Sequence, residues 1–88
     1  MKIKFKTGIK HLTGISEEII NIPSTMSIEQ LLEQYIFNKH DKVKDCLYTE
    51  GKIQKHKFAV VKNEQVSSLV DTVTNDDVIT LLTPITGG

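Results

Sequence analysis

The sequence predicts one two-layer α+β domain, a mixed sheet of about four to five strands covered by one main helix. Three observations carry this. The chain has 88 residues, enough for a single modest core. One stretch, from Ser27 to about Asn38, has the apolar spacing of an amphipathic helix. Short alternating or apolar runs at both ends of the chain read as strands.

The elements follow in order. Ile3 and Phe5 alternate with Lys2, Lys4 and Lys6, which is the pattern of a half-buried strand. Gly8 breaks it, and Ile9 and Leu12 are spaced as in one helical turn before Gly14. Residues Glu18–Ile22 alternate again and pair with the first strand as a hairpin, which Pro23 ends. In the helix, Ile28, Leu31, Leu32, Tyr35 and Ile36 form one stripe. Ser27 and Gln30 form a capping box, Met26 and Leu31 a hydrophobic staple, and Glu29 favours the helix dipole. Asp41–Lys57 is polar and weakly patterned, a long connection with at most a short helical turn. Phe58–Val61 is a strand, Lys62-Asn63-Glu64 a turn, and Val66, Leu69 and Val70 a short weak strand. Asn75-Asp76-Asp77 is a turn, and Val78–Leu82 is the last strand, with Ile79 and Leu81 on one face. Pro84 stops it, because proline cannot donate to a sheet ladder. Hairpin, crossing helix, then strands is the β-grasp order. Residues 1–83 form this domain and residues 84–88 a flexible tail.

Composition narrows the function. Eleven basic residues balance eleven acidic ones, so the footprint of a nucleic-acid binder is absent. All the cations are lysines; without arginine there is no bidentate fork for phosphate or guanine. The charge is uneven. Every lysine lies within residues 1–62, and residues 63–88 carry only Glu64, Asp71, Asp76 and Asp77. A basic surface beside an acidic one suits a protein partner. No run approaches a membrane span and nothing resembles a signal peptide, so a cytoplasmic protein is expected. Cys46 is alone and excludes an internal disulfide.

The chemistry lies at the end, Leu82-Thr83-Pro84-Ile85-Thr86-Gly87-Gly88. Glycine lets backbone approach a partner closely, so a thin tail can thread a channel that any Cβ would block. The carboxylate of Gly88 then has little steric cover. It can attack the α-phosphate of ATP held by a partner, and the acyl-adenylate can accept sulfur or an amine. Taken alone, the dipeptide fits a frayed terminus equally well. Ordering each tail residue costs about 1–2 kcal/mol. Burying Leu82 and Ile85 returns about 1.5–3 kcal/mol each. The tail roughly breaks even, and affinity must come from the sheet.

These residues resemble a known family. Leu-Leu-Thr-Pro-Ile-Thr-Gly-Gly is similar to the ending of MoaD-type sulfur carriers. Ile3–Phe5 with Ile9-Lys10-His11-Leu12-Thr13-Gly14 resembles the family's first strand and its Val-x-x-Leu-x-Gly segment. Ser27–Leu32 resembles the start of its helix. Ala59–Val66 and Asn75–Ile79 resemble its valine-asparagine turn and the Asp-Gly-Asp turn before its last strand. The resemblance implies a ubiquitin-like β-grasp fold and a carrier rather than an enzyme. Gly88 would be adenylated and become a thiocarboxylate, with Gly87 giving access. The partners would be a ubiquitin-activating-type adenylating enzyme (MoeB-like), which uses the ATP, and a MoaE-like large subunit in molybdopterin synthesis. This chain would hold no cofactor and no metal. Leu82, Pro84, Ile85 and Thr86 would engage partners, with the family's sheet-docking positions falling at Lys6, Gln65 and Leu82. Where the family has two consecutive prolines, this chain has Thr83-Pro84. ThiS of the thiamine pathway, tRNA-thiolation carriers and small modifiers joined to lysines share the ending. A non-covalent interaction module is the remaining alternative.

The other reactive side chains read as ordinary. Cys46 is expected to be a plain loop thiol, and His11, His40 and His56 are too scattered for a metal site. Glu17-Glu18 and Asp76-Asp77 are expected to be solvated. Lys52, Lys55 and Lys57 read as a solvated face or as a docking surface together with Lys2, Lys4 and Lys6.

Overall fold

The computed structural model describes residues 1–83. The first strand, β1 (Lys2–Lys6), buries Ile3 and Phe5 and leaves its lysines on the opposite face. It runs into a helix, α1 (Thr7–Thr13), which closes on Gly14 at a φ of 77° with the Gly14 amide donating to the Lys10 carbonyl. The expected single turn is thus a two-turn helix, and Ile9 is its buried residue.

The next strand, β2 (Glu17–Ile19), pairs antiparallel with β1 as expected. The alternation beyond it also holds: Ile20 and Ile22 are buried, Ile19 and Asn21 exposed. Strand β3 (Met26–Ser27) leads into a helix over residues 28–39, α2. Ser27 Oγ accepts from the Gln30 amide (3.1 Å) and Gln30 Oε1 accepts from the Ser27 amide (3.0 Å), which is the expected capping box. The Ile28 and Glu29 amides donate to the carbonyls of Asp71 and Leu69, so the first turn leaves few donors open.

The helix is not uniform. Ile28–Leu31 and Phe37–Lys39 are α-helical, and Leu32–Ile36 is a π-helical turn. Each π residue advances by less than the ~100° of an α-helix. Phe37, which a regular helix would turn to solvent, therefore comes round into the core. It meets the Tyr48 ring edge-on at 5.9 Å.

The segment expected to be a long connection is built. It contains helix α3 (Asp41–Leu47), a hairpin of β4 (Tyr48–Thr49) with β5 (Lys52–Ile53), and a 3₁₀ turn at Lys55–Lys57. Val43, Leu47 and Ile53 anchor it in the core. Only these three side chains of the segment are buried, which is too few to show as a sequence period. Cys46 lies on α3 against the core, not in a loop.

Strands β6 (Ala59–Lys62) and β7 (Gln65–Ser67) form a hairpin through a two-residue turn with Asn63 and Glu64 at φ of 50° and 71°. A short β8 (Thr72–Val73) pairs with β3. Strand β9 (Val78–Leu82) then enters the middle of the sheet, parallel to β1 and antiparallel to β6. The five-stranded order is β2-β1-β9-β6-β7. The core fills the space between the inner sheet face (Ile3, Phe5, Val60, Ile79, Leu81) and α2. Val66 and Val70, expected in a strand beside Leu69, are exposed; only Leu69 is buried.

Glu18 departs from expectation too. It shares the inward face with Ile20, and only 7% of its side chain is exposed. The Lys39 ammonium sits against its Oε2, and His40 Nε2 lies 2.9 Å from Oε1. An ionised carboxylate only accepts, so the His40 ring carries its proton on Nε2. Burial pushes the Glu18 pKa up, but Lys39 and His40 together pull it further down, below the ordinary glutamate range. Asp77 is lowered as well, chiefly by the hydrogen bond from Asn63. Because both folded-state values are depressed, their stabilisation is complete above the ordinary carboxylate range and lost as pH falls through the folded values. Urea midpoints should therefore drop between neutral pH and about pH 3, and Glu18→Gln should flatten that slope. An unchanged slope in the variant would show that Glu18 does not carry it.

Candidate functional site

The face of the sheet turned away from α2 follows from register. Side chains directly opposite in a ladder share a face. Lys2, Lys4 and Lys6 of β1 stand opposite Val78, Thr80 and Leu82 of β9, and these stand opposite Ala59 and Val61 of β6. Val66 of β7 pairs with Val61, while Ile19 and Glu17 of β2 pair with Lys2 and Lys4. The outer face is thus a lysine ridge beside an apolar strip of Ala59, Val61, Val66, Val78 and Leu82. Between them lies an open concavity of about 600 Å³ lined by Lys4, Lys6, Val61, Val78, Thr80 and Leu82 among others. Lys2 and Glu17 are 3.6 Å apart on the surface, a contact of little energetic weight.

Of the sequence-derived docking positions, Lys6 and Leu82 are direct neighbours on this face. Gln65 is not on it. It pairs with Lys62, one residue out of phase with the outer face, and the β7 residue on that face is Val66, 83% exposed. A turn taken as three residues becomes two, and with a period of two that slip exchanges the faces. The outer face is consequently more apolar than the sequence suggested. The lysines at 52, 55 and 57 are exposed on the short elements before β6.

Two motifs quoted from the sequence prove to be one unit. The Asn63 amide donates to the Val78 carbonyl (2.9 Å), and Asn63 Oδ1 accepts from the Val78 amide (2.9 Å). Asn63 Nδ2 donates to Asp77 Oδ1 (2.8 Å). The turn after β6 therefore fixes the start of β9. Asn75 does the same from the other side, exchanging two hydrogen bonds with the Ile22 backbone.

At its far end β9 finishes with Leu82 on the outer face, and Thr83 follows against the β1–α1 corner. Pro84, Ile85, Thr86, Gly87 and Gly88, the tail assigned from sequence, lie outside the described residues. Among the described residues no three His, Cys, Asp or Glu side chains gather as metal ligands, and no helix is long and apolar enough to cross a membrane.

A mixed sheet in this order, crossed by one helix and ending on its central strand, is the ubiquitin-like β-grasp. The chain belongs to the ThiS family, whose model matches residues 3–88. No curated protein sequence matches it. Among solved structures, it is similar to SAMP1 from Haloferax volcanii, with a TM-score of 0.85 at 16% identity over 99% of this chain and 97% of that one. A Pyrococcus furiosus protein provisionally named molybdopterin converting factor, subunit 1, gives 0.77 at 25% identity over 96% and 95%. A chain of the Amycolatopsis orientalis BexX/CysO complex gives 0.70 at 18% identity over 99% and 98%.

If the outer face docks a partner protein, Leu82→Ala should weaken that partner's affinity by about tenfold. It should leave the fold intact, because Leu82 is only half-buried and its ladder bonds are backbone bonds. Titration calorimetry at matched thermal stability checks this; equal affinity would remove Leu82 from the docking surface.

Proposed function

We propose that this protein is a cytoplasmic sulfur carrier, a co-substrate rather than a catalyst. The Gly88 carboxylate attacks the α-phosphate of ATP held by a ubiquitin-activating-type enzyme (MoeB-like), and pyrophosphate leaves. Hydrosulfide then adds to the acyl-adenylate carbonyl and displaces AMP, leaving a thiocarboxylate. The reading rests above all on the Gly87-Gly88 ending just beyond the central strand of a ThiS-family chain, in a match that runs through residue 88. Molybdopterin synthesis, with a MoaE-like acceptor subunit, is the favoured pathway. The Pyrococcus furiosus neighbour's name supports it. Thiamine synthesis and tRNA thiolation would use the same activated end.

A second reading has support of its own. Several structural neighbours are named small archaeal modifier proteins. A modifier would pass the same acyl group to a lysine amine instead of taking up sulfur.

Intact mass of the untagged protein from its host, with and without sulfur supply, tests the carrier reading. A species heavier by one oxygen exchanged for sulfur supports it. Its absence, even with activating enzyme, ATP and sulfur donor present, overturns it. Lysine adducts ending in Gly-Gly in digested cell protein would favour the modifier.

A further inference from the structure

The corner where β1 turns into α1 grips the residue that follows β9. Thr7 holds a φ of 52°, a left-handed conformation unusual for a β-branched residue. There its Oγ1 accepts from the Thr83 amide at 2.8 Å and lies 2.8 Å from Thr83 Oγ1. Its own proton is directed to the Lys6 carbonyl at 2.7 Å, with the Thr83 carbonyl at 3.1 Å as the other acceptor within reach. The Gly8 amide donates to Thr83 Oγ1 at 3.0 Å. One proton assignment satisfies the set: the Thr83 amide and hydroxyl both donate to Thr7, Thr7 donates to Lys6, and Gly8 donates to Thr83. A Cβ on residue 8 would stand 2.9 Å from Thr83 Oγ1, so the close approach requires glycine there.

We infer that Thr7 and Thr83 are positioning residues for the Gly-Gly end, forming a hydroxyl clasp that fixes where and in which direction the chain leaves the sheet. The inference deepens the carrier reading and rests on it. Proline at position 83 could supply neither the amide nor the hydroxyl. This chain sets the exit by hydrogen bonds where a second proline would set it by its ring. The clasp holds the chain fixed through Thr83, so the segment that carries Gly88 into a partner's site leaves from a set point and in a set direction. Opening it adds the ordering of at least one further residue to the reaction step and leaves the outer face, which does the docking, unchanged. The signature is a fall in kcat of about tenfold with little change in KM. Loss of a docking contact such as Leu82 acts on KM instead.

The test is ATP–pyrophosphate exchange with the host's ubiquitin-activating-type enzyme, for the wild type, Thr7→Val, Thr83→Val and Thr7→Ser, with thermal midpoints recorded for each. Lower kcat at unchanged KM in both valine variants, restored in Thr7→Ser, supports the clasp. Wild-type kcat in both folded valine variants overturns it, whatever their midpoints. Amide hydrogen exchange of the wild type alone is a check independent of activity and of how any variant folds. Protected Thr83 and Gly8 amides are expected, and exchange at the unfolded rate overturns the clasp. Absence of exchange activity in the wild type while Thr83 is protected overturns the carrier reading, and the clasp's positioning role falls with it.

Discussion

Deleting Gly88 should abolish thiocarboxylate formation and pyrophosphate exchange while leaving the thermal midpoint unchanged. The separation is wide because the two properties reside in different parts of the chain. The core closes with Ile79 and Leu81 of β9, both fully buried. The proposed chemistry needs a carboxylate beyond it whose approach no Cβ obstructs. With Gly88 removed, the new carboxylate belongs to Gly87 and falls one residue short of the partner's α-phosphate. One residue is about 3.3–3.6 Å of extended chain, and in-line attack does not tolerate a gap of that size. Intact mass and exchange rate are the readouts. Residual thiocarboxylate on the truncated chain would overturn the assignment of Gly88.

Phe5→Ala should have the largest effect on stability. Phe5 is almost completely buried on β1 beside the central strand, and its ring meets His40 edge-on at 5.4 Å. Truncating such a residue costs about 3–5 kcal/mol. A domain of this size is stable by roughly 5–10 kcal/mol, so the variant should be close to unfolding at physiological temperature. The loss also removes the wall that holds His40 against Glu18. Denaturant titration checks the magnitude. A cost below about 1 kcal/mol would mean that the site collapses around the deleted ring.

The parts of the fold that could be read from sequence were those with a strong period. Ile3 and Phe5, the stripe from Ile28 to Ile36, and Ile79 with Leu81 all lie where alternation or helical spacing puts them. Ser27 and Gln30 announced the helix start because a capping box is local chemistry. The segment after His40 was opaque, because its three buried apolar residues are separated by charges and their order comes from tertiary contact. The π turn left no trace in the stripe, and nothing in that stripe marked Phe37 as a core residue. Glu18 looked solvated although it alternates in phase with Ile20, because the partners that hold it in place, Lys39 and His40, are remote in sequence. Of the candidate site, Lys6 and Leu82 were legible from the family resemblance, and the structure sets them side by side. Val66 was not, because a two-residue turn and a three-residue turn read alike in Lys62-Asn63-Glu64. The clasp could have been suspected from Thr83 standing where a proline is expected, but nothing in the sequence pointed to Thr7 as its partner.

The parallel pairing of β1 with β9 governs how the molecule reaches its structure. The strands at the centre of the sheet are the ones farthest apart along the chain. Such non-local pairing raises the contact order and slows folding, because a long loop must close before the ladder gives anything back. Until β9 arrives, β1 and β6 each present an unpaired edge, and those edges are open to other chains. The strand that leads to the Gly-Gly end is therefore also the one that closes the sheet, and only a chain that has completed its fold presents that end from an ordered surface.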